Sequence, residues 1–177
     1  MTFKRLIPFL VAFVLPLLAV YAWWGGFNPV SIDETAVRGP YTYAYLEHSG
    51  DYSKLPDKQA KVVGHLKAQG IAAGQAISVL FSNPAEVNVN ERRSHAGFLV
   101  PAGTVVAEPL KLATIPVRPV LLVQVRAAVL MAPSRAYHAL DVYTQARGQG
   151  IRMPTVELYE TSDSALRMGT LSVEMPR

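Results

Sequence analysis

The stretch that predicts the fold most directly is residues 41–70, YTYAYLEHSGDYSKLPDKQAKVVGHLKAQG. Within it, residues 41–47 alternate strictly, with tyrosine at every second position from 41 to 45, which is typical of a β-strand. A His-Ser-Gly-Asp turn follows. Apolar residues then recur at the spacing of one helix face, at Leu55, Val62, Val63 and Leu66. Because Ser53 can cap this helix and Gly70 can end it, the stretch predicts a strand followed by an amphipathic helix.

The same order of elements is predicted again in the second half of the chain. The first half continues with apolar strands at 76–81 and 97–100. The second half has a strand at 119–126, a helix capped by Ser134 and ended by glycine, and strands at 154–160 and 169–175. A Ser-Asp-Ser turn at 162–164 separates these last two strands.

The two halves align at an offset of 80 residues, at which the tripeptide Gln-Gly-Ile at 69–71 meets its copy at 149–151. In both halves this tripeptide follows a predicted helix and precedes a strand. We therefore predict an α+β domain of two β-α-β-β repeats, about 31–101 and about 108–177, with mostly antiparallel strands. Each repeat has an apolar sheet face and an apolar helix stripe, so the two should pack as one pseudo-symmetric domain with a cleft at their junction.

An uncharged N-terminal segment precedes this domain. Residues 6–24 carry no charge, and a helix of that length spans about 28 Å, close to the hydrocarbon core of a membrane. Lys4 and Arg5 come before it, which predicts a cytoplasmic N-terminus. We expect residues 1–27 to form a single-pass transmembrane anchor in the cell membrane, with the domain outside the cytoplasm on the periplasmic side. The alternative is a signal peptide cleaved after Ala22.

Composition argues against several kinds of site. The chain has no cysteine, which excludes disulfides and cysteine metal sites. The net charge of +4 comes from scattered residues and not from a basic run, so we expect no nucleic-acid partner. The four histidines lie in different elements without the spacing of metal ligands, and no nucleotide-binding or nucleophile motif is present. We therefore expect no metal and no cofactor.

Three short stretches resemble one known family. They are RGPYTYAYLEHSGDY at 38–52, LATIP at 112–116 and PTVELYE at 154–160. Their order and spacing resemble the GyrI-like small-molecule-binding domain over residues 31–177, in its membrane-anchored form. The stretch AVLMAP at 128–133 departs from the turn that this family commonly has before its second helix. The resemblance implies an effector-binding cleft for flat, apolar and often cationic ligands, with a buried glutamate as the counter-charge.

Alternation within 154–160 identifies the candidate glutamate. Glu157 and Tyr159 share one strand face, and Leu158 and Glu160 share the other. The resemblance favours Glu157 with Tyr159, while Glu160 remains an alternative. Tyr43 and Tyr45 either line the cleft or form a packing face, and we expect them near Glu157.

The leading interpretation is a binding module for small apolar or cationic molecules. One alternative is a hydrolase of reactive small molecules in the same cleft, as in some members of the family, with Glu157 as general base. The other is a protein-interaction module whose cleft is vestigial and whose partner is a protein. A tyrosine within hydrogen-bond reach of the glutamate would favour the hydrolase, and a filled cleft would favour the interaction module.

Overall fold

The structure is a computed structural model that describes residues 7–160 and 168–177. The predicted turn at 162–164 and the basic pair Lys4-Arg5 lie outside the described residues. In chain order the helices are α1 (Ile7–Trp23), α2 (Leu55–Ala68) and α3 (Ala132–Gln145). The strands are β1 (Val30–Asp33), β2 (Val37–Arg38), β3 (Tyr41–Ser49), β4 (Ala76–Leu80), β5 (Arg93–Leu99), β6 (Lys111–Ile115), β7 (Arg118–Ala128), β8 (Thr155–Glu160) and β9 (Met168–Pro176).

In the described residues the strands form one nine-stranded antiparallel sheet in the order β1-β7-β9-β8-β4-β5-β3-β6, with β2 also paired to β7. The predicted α+β class is confirmed. The strand–helix–strand–strand order occurs twice, first as β3-α2-β4-β5 and then as β7-α3-β8-β9. The two units meet where β4 pairs with β8, with Ser78 opposite Glu157. The junction that we expected to hold a cleft is therefore a continuous antiparallel ladder.

The edge strand of each unit comes from the part of the chain that was predicted to belong to the other repeat. β1, which falls in the predicted first repeat, pairs with β7 of the second unit, with Ile32 opposite Val123. β6, which falls in the predicted second repeat, pairs with β3 of the first unit, with Ala113 opposite Tyr43. The exchange covers the backbone groups of β3 and β7 that would otherwise lie at open sheet edges. Alternation along one strand carries no information about such long-range pairing.

The offset of 80 residues between the halves is wrong. Both helices end at a glycine in the left-handed region, Gly70 with φ 70° and Gly148 with φ 66°, so the helix ends correspond at an offset of 148 − 70 = 78. Neither 80 nor 78 fits strands β3 and β7, because these offsets equate Tyr45 with Val125 or Val123, and both valines pack on the opposite face of the sheet from Tyr45. Since side chains alternate with a period of two, these strands correspond only at an odd offset, so no single offset relates the two halves.

The helix boundaries and buried stripes also differ in detail from the prediction. Ser134 is not the cap of α3 but lies inside it, where its hydroxyl donates to the carbonyl of Met131 at 3.0 Å. The helix starts earlier because Pro133 is compatible with its first turn. Asp51, and not Ser53, accepts the capping hydrogen bond before α2. Val63 is 37% exposed, so it lies outside the buried stripe of α2.

Helices α2 and α3 pack on the same face of the sheet. Gln59 of α2 donates to the hydroxyl of Ser78 at 3.2 Å, and Tyr137 of α3 lies 2.7 Å from the hydroxyl of Thr155. Directly opposed residues share a face, so Ser78 places Glu157 on this helix-bearing face. The other, helix-free face is also buried. The sheet curls around it until the Tyr41 hydroxyl of β3 donates to Glu174 of β9 at 2.6 Å.

Helix α1 joins the sheet through an ordered turn. Gly25 adopts φ 76°, and the guanidinium of Arg135 donates to the carbonyls of Gly25 and Asn28. The backbone N–H of Ala128 donates to the carbonyl of Trp24 at 2.9 Å. Among the described residues, no helix combines the length and the apolar character that crossing a membrane requires.

Candidate functional site

Glu157 is a buried carboxylate at the centre of the domain. It lies in the middle of β8 between Ser78 of β4 and Val173 of β9, and it is 5% exposed. Tyr159 shares its face, as alternation requires, whereas Glu160 is exposed and lies on the other face. Of the two candidate glutamates, Glu157 alone faces the space between α2 and α3.

Two tyrosine hydroxyls surround this carboxylate. The Tyr159 hydroxyl donates to Glu157 Oε2 at 3.3 Å, a long hydrogen bond. The Tyr137 hydroxyl lies 2.7 Å from Thr155 Oγ1 and also within reach of the Glu157 carboxylate. Apolar side chains close the site on the side of α2, where Leu55, Leu80 and Ala96 pack with Tyr52, Tyr137 and Met153.

Burial dominates the electrostatics of Glu157. It raises the pKa of the carboxyl to about 7, although the hydrogen bonds from Tyr137 and Tyr159 oppose this rise. The same burial, together with the charge of Glu157, raises the pKa of both tyrosines, so they remain hydrogen-bond donors. Within the described part of the chain, none of the salt bridges involves Glu157. The site therefore has a carboxylate near its midpoint of ionisation and no resident cation among these residues.

Tyr43 and Tyr45 lie on the wrong face of the sheet to meet Glu157, which corrects our expectation. They are 3% and 8% exposed and pack on the helix-free face with Ile77, Val79, Val156 and Leu158. The Tyr43 hydroxyl lies 3.0 Å from His95 Nδ1, and the Tyr45 ring stacks on His95 at 3.7 Å between centroids. The alternative reading of the tyrosine stripe as a packing face is therefore the one that the contacts support.

Apart from Tyr159, the aromatic residues that adjoin Glu157 were not identified from the sequence. Tyr52 precedes α2, and Tyr137 lies beside the buried stripe of α3 and not within it. Tyr137 lies at the edge of the buried stripe of α3, one residue after Ala136, and faces the other unit. The stripe itself consists of Ala132, Ala136, Leu140 and Thr144. This flanking position was the available signal, but its meaning depends on knowing where β8 lies.

Glu174 is a second buried carboxylate, with a different environment. It is 0% exposed, accepts from Tyr41 at 2.6 Å and forms a salt bridge with Arg118 at 2.9 Å. Burial raises the pKa of its carboxyl, while Tyr41, Arg118 and Arg38 act in the opposite direction. Glu174 is thus matched by internal partners, and its contacts hold β3, β7 and β9 together.

The described residues show neither a metal site nor an open cleft at Glu157. Among them, no group of three or more His, Asp or Glu side chains could hold a metal ion. Two surface cavities, one beside Arg147 and one beside Gly74, lie elsewhere. Glu157 is covered by packed side chains, so a ligand would have to part α2 from α3 to reach it.

These features define an α+β domain in which two β-α-β-β units enclose a glutamate. The chain is similar to the C-terminal domain of EcmrR, with a TM-score of 0.57 and 15% identity over 84% of this chain and 96% of that domain. EcmrR in a complex with DNA matches with a TM-score of 0.63 and 11% identity, over 98% of this chain and 67% of that one.

SAV2435, solved bound to tetraphenylphosphonium, matches with a TM-score of 0.54 and 10% identity, over 83% of this chain and 93% of that one. The fold is therefore the GyrI-like one that the three sequence stretches resemble. No family model matches the chain. No curated protein matches it either.

Proposed function

We propose that this protein binds small lipophilic cations between its two units, with Glu157 as the counter-charge. The observation that carries the proposal is a carboxylate, 5% exposed, that lies at the junction of the units and pairs with no described guanidinium or ammonium group. SAV2435, which has the same fold, was solved with the lipophilic cation tetraphenylphosphonium. The ligand class follows from this charge together with the tyrosine rings around it.

Ionised Glu157 has no counter-charge among the described residues. A buried carboxylate without a counter-ion is unfavourable, and this one loses its proton only near pH 7. A bound cation would supply the missing charge in a site of low dielectric, and the rings of Tyr137 and Tyr159 would add cation–π contact. A neutral ligand of the same shape would gain only the apolar contacts.

Access to the site requires a movement of side chains. Tyr52 comes from the segment before α2 and Tyr137 from α3, and both pack with Met153 in one cluster beside Glu157. Parting this cluster would open a path between the helices without disturbing the β4–β8 ladder. The proposal is therefore one of ligand-induced opening, or of selection of a minor open state.

Isothermal titration of the full-length protein in a neutral detergent tests the proposal, with tetraphenylphosphonium as the probe. We expect Glu157→Gln to weaken binding about tenfold or more, because the charge is lost while the shape is kept. Glu160→Gln is the matched control, since it removes the same charge from an exposed position on the same strand. Neutral triphenylphosphine oxide should bind both variants alike.

Two outcomes would contradict the proposal. Equal weakening by Glu157→Gln and Glu160→Gln would mean that the effect is one of net charge only. If the unmodified protein binds no cation, the result would favour the hypothesis of a protein-interaction module, in which packed side chains fill the cleft.

We propose further that residues 6–24 anchor the domain to the cell membrane, with the domain on the periplasmic side. The support is the uncharged segment and the basic pair before it, together with the exposed apolar side chains of α1, among them Phe13 (72%), Leu17 (70%) and Trp23 (79%). A reporter that is active only outside the cytoplasm, fused after Arg177, should be active. Activity of a cytoplasm-only reporter would refute this orientation.

One observation favours hydrolysis as a second candidate function. The Tyr159 hydroxyl lies 3.3 Å from Glu157, so a base and a hydroxyl that could orient water occur together. Glu157→Gln would then abolish turnover of a reactive ester while Tyr159→Phe slowed it. Binding of tetraphenylphosphonium with no turnover in a panel of reactive esters would leave binding alone.

A further inference from the structure

A charged cavity lies away from Glu157, and the inference drawn from it goes beyond the function proposed above. Its volume is about 420 Å³, and it lies between the C-terminal end of α3, the start of β7 and the end of β9. Besides the buried Thr144, six polar or aromatic residues line it, namely Glu34, Tyr143, Arg147, Gln149, Arg152 and Arg177.

Positive charge exceeds negative charge among these side chains. Three are guanidinium groups and one is a carboxylate, so their sum is 3 − 1 = +2. Arg147 donates to Glu34 Oε1 at 3.0 Å while its guanidinium lies 3.5 Å above the centre of the Tyr143 ring. Arg152 donates to Gln149 Oε1 at 3.3 Å. A guanidinium has five N–H groups, so Arg147 and Arg152 both keep donors for a further acceptor.

Helix α3 points its C-terminal end at this cavity, and a helix C-terminus by itself disfavours an anion. Here the last turn is already satisfied. The carbonyl of Thr144 accepts from the N–H groups of Arg147 and Gln149, and the carbonyl of Tyr143 accepts from the Arg147 side chain. The guanidinium groups therefore determine the sign of the local field.

In the first unit, the position equivalent to this cavity is filled by another part of the chain. At the offset of 78 set by the glycine caps, Arg147 corresponds to Gln69 and Gln149 to Ile71. Val106 and Leu110 pack against α2, and Gln69 makes hydrogen bonds with both backbone groups of Ala107, at 2.7 and 3.2 Å.

The second unit differs in chemistry as well as in occupancy. A glutamine and an isoleucine in the first unit are replaced by arginine and glutamine in the second. A chain segment like 106–110, which packs through Val106 and Leu110, would leave these polar groups without partners. A compact oxyanion would satisfy them, since guanidinium forks match the geometry of phosphate and carboxylate.

We propose that this cavity, named here the arginine pocket (Glu34, Tyr143, Arg147, Gln149, Arg152 and Arg177), binds a small soluble oxyanion of the phosphate or polycarboxylate class. The position of the pocket favours a soluble oxyanion over a lipid headgroup as the ligand. The pocket includes Leu121 of β7, whereas α1 joins the same strand at Ala128, seven residues or roughly 23 Å away.

Calorimetric titration of the full-length protein with inorganic phosphate and with citrate tests the proposal, at constant ionic strength set by sodium chloride. We expect saturable binding that Arg152→Ala weakens about tenfold. The control is Arg126→Ala, which removes an exposed arginine near the other end of β7 and should have no effect. Glu34→Gln should strengthen binding about threefold, because Glu34 competes with the ligand for Arg147.

Several results would overturn the proposal. Non-saturable heats for both anions, or equal weakening by Arg152→Ala and Arg126→Ala, would reduce the pocket to a region of surface charge. Loss of phosphate binding in nanodiscs with phosphatidylglycerol, but not in nanodiscs of phosphatidylcholine alone, would assign the pocket to a lipid headgroup. Glu157→Gln should leave phosphate binding unchanged, so failure here and failure of the cation site are distinguishable.

Discussion

Replacing Glu157 by glutamine should change how the stability of the protein depends on pH. Burial raises the pKa of this carboxyl from 4.5, the value for an exposed glutamate, to about 7. At about 1.4 kcal/mol for each tenfold change in a proton equilibrium, this difference corresponds to about 3 kcal/mol. The folded state holds the proton more tightly than the unfolded state, so the contribution favours folding at low pH.

The direction of the effect follows from this difference in proton affinity. Stability from Glu157 is fully present below pH 4.5, is lost as the pH rises towards 7, and by pH 8 is lower by about 3 kcal/mol. A glutamine cannot ionise and does not show this loss. We therefore expect the free energy of unfolding of Glu157→Gln, relative to that of the unmodified protein, to rise by about 3 kcal/mol between pH 4 and pH 8.

Urea unfolding followed by circular dichroism at pH 4, 6 and 8 measures this difference in the full-length protein. Glu160→Gln provides the control for net charge, because Glu160 is exposed on the same strand. Its relative free energy of unfolding should stay nearly constant over the same range. Parallel pH curves for Glu157→Gln and the unmodified protein would refute the reasoning, since they would mean that Glu157 titrates alike in the folded and unfolded states.

Three other changes have defined outcomes. Tyr159→Phe removes a donor to Glu157, so the pH midpoint of the stability change should move upward in the same urea experiment, and an unchanged midpoint would exclude that hydrogen bond. Arg118→Ala leaves Glu174 buried without its guanidinium and should cost about 3–5 kcal/mol at pH 7, measured by urea unfolding, whereas a cost below about 1 kcal/mol would contradict the ion pair. Arg135→Ala should speed amide hydrogen exchange in residues 24–28 but not in β3, because Arg135 bonds the carbonyls of Gly25 and Asn28; uniform protection would count against an ordered joint.

Local periodicity predicted the elements well, because strands and helices of this length carry their own pattern. The alternation at 41–47 and the helical spacing from Leu55 to Leu66 correspond to β3 and α2 within a few residues. The exchange of β1 and β6 between the units was not predictable in this way. It depends on which edge of the sheet remains open after β3 and β7 have paired with β5 and β9.

The face of the sheet on which each strand residue lies was the second feature that the sequence did not predict. Alternation shows that Tyr43 and Tyr45 share a face, and separately that Glu157 and Tyr159 share one, but it does not say which face of the sheet the helices cover. The two pairs lie on opposite faces of this sheet. A search for aromatic partners of Glu157 had to start from the helices, where Tyr137 lies beside a buried stripe that was itself predictable.

Glu157 and Glu174 show why a candidate ligand site cannot be read from a strand alone. Each is an acid among apolar neighbours on an antiparallel strand, and the two strands pair with each other. The curl of the sheet brings Arg118 and Tyr41 to Glu174, so that carboxylate is matched within the fold. Glu157 faces α2 and α3, and its partners are the hydroxyls of Tyr137 on α3 and Tyr159 on β8, with no described cation. A bound cation would therefore have little to add at Glu174, whereas at Glu157 it would supply the charge that folding leaves unmatched.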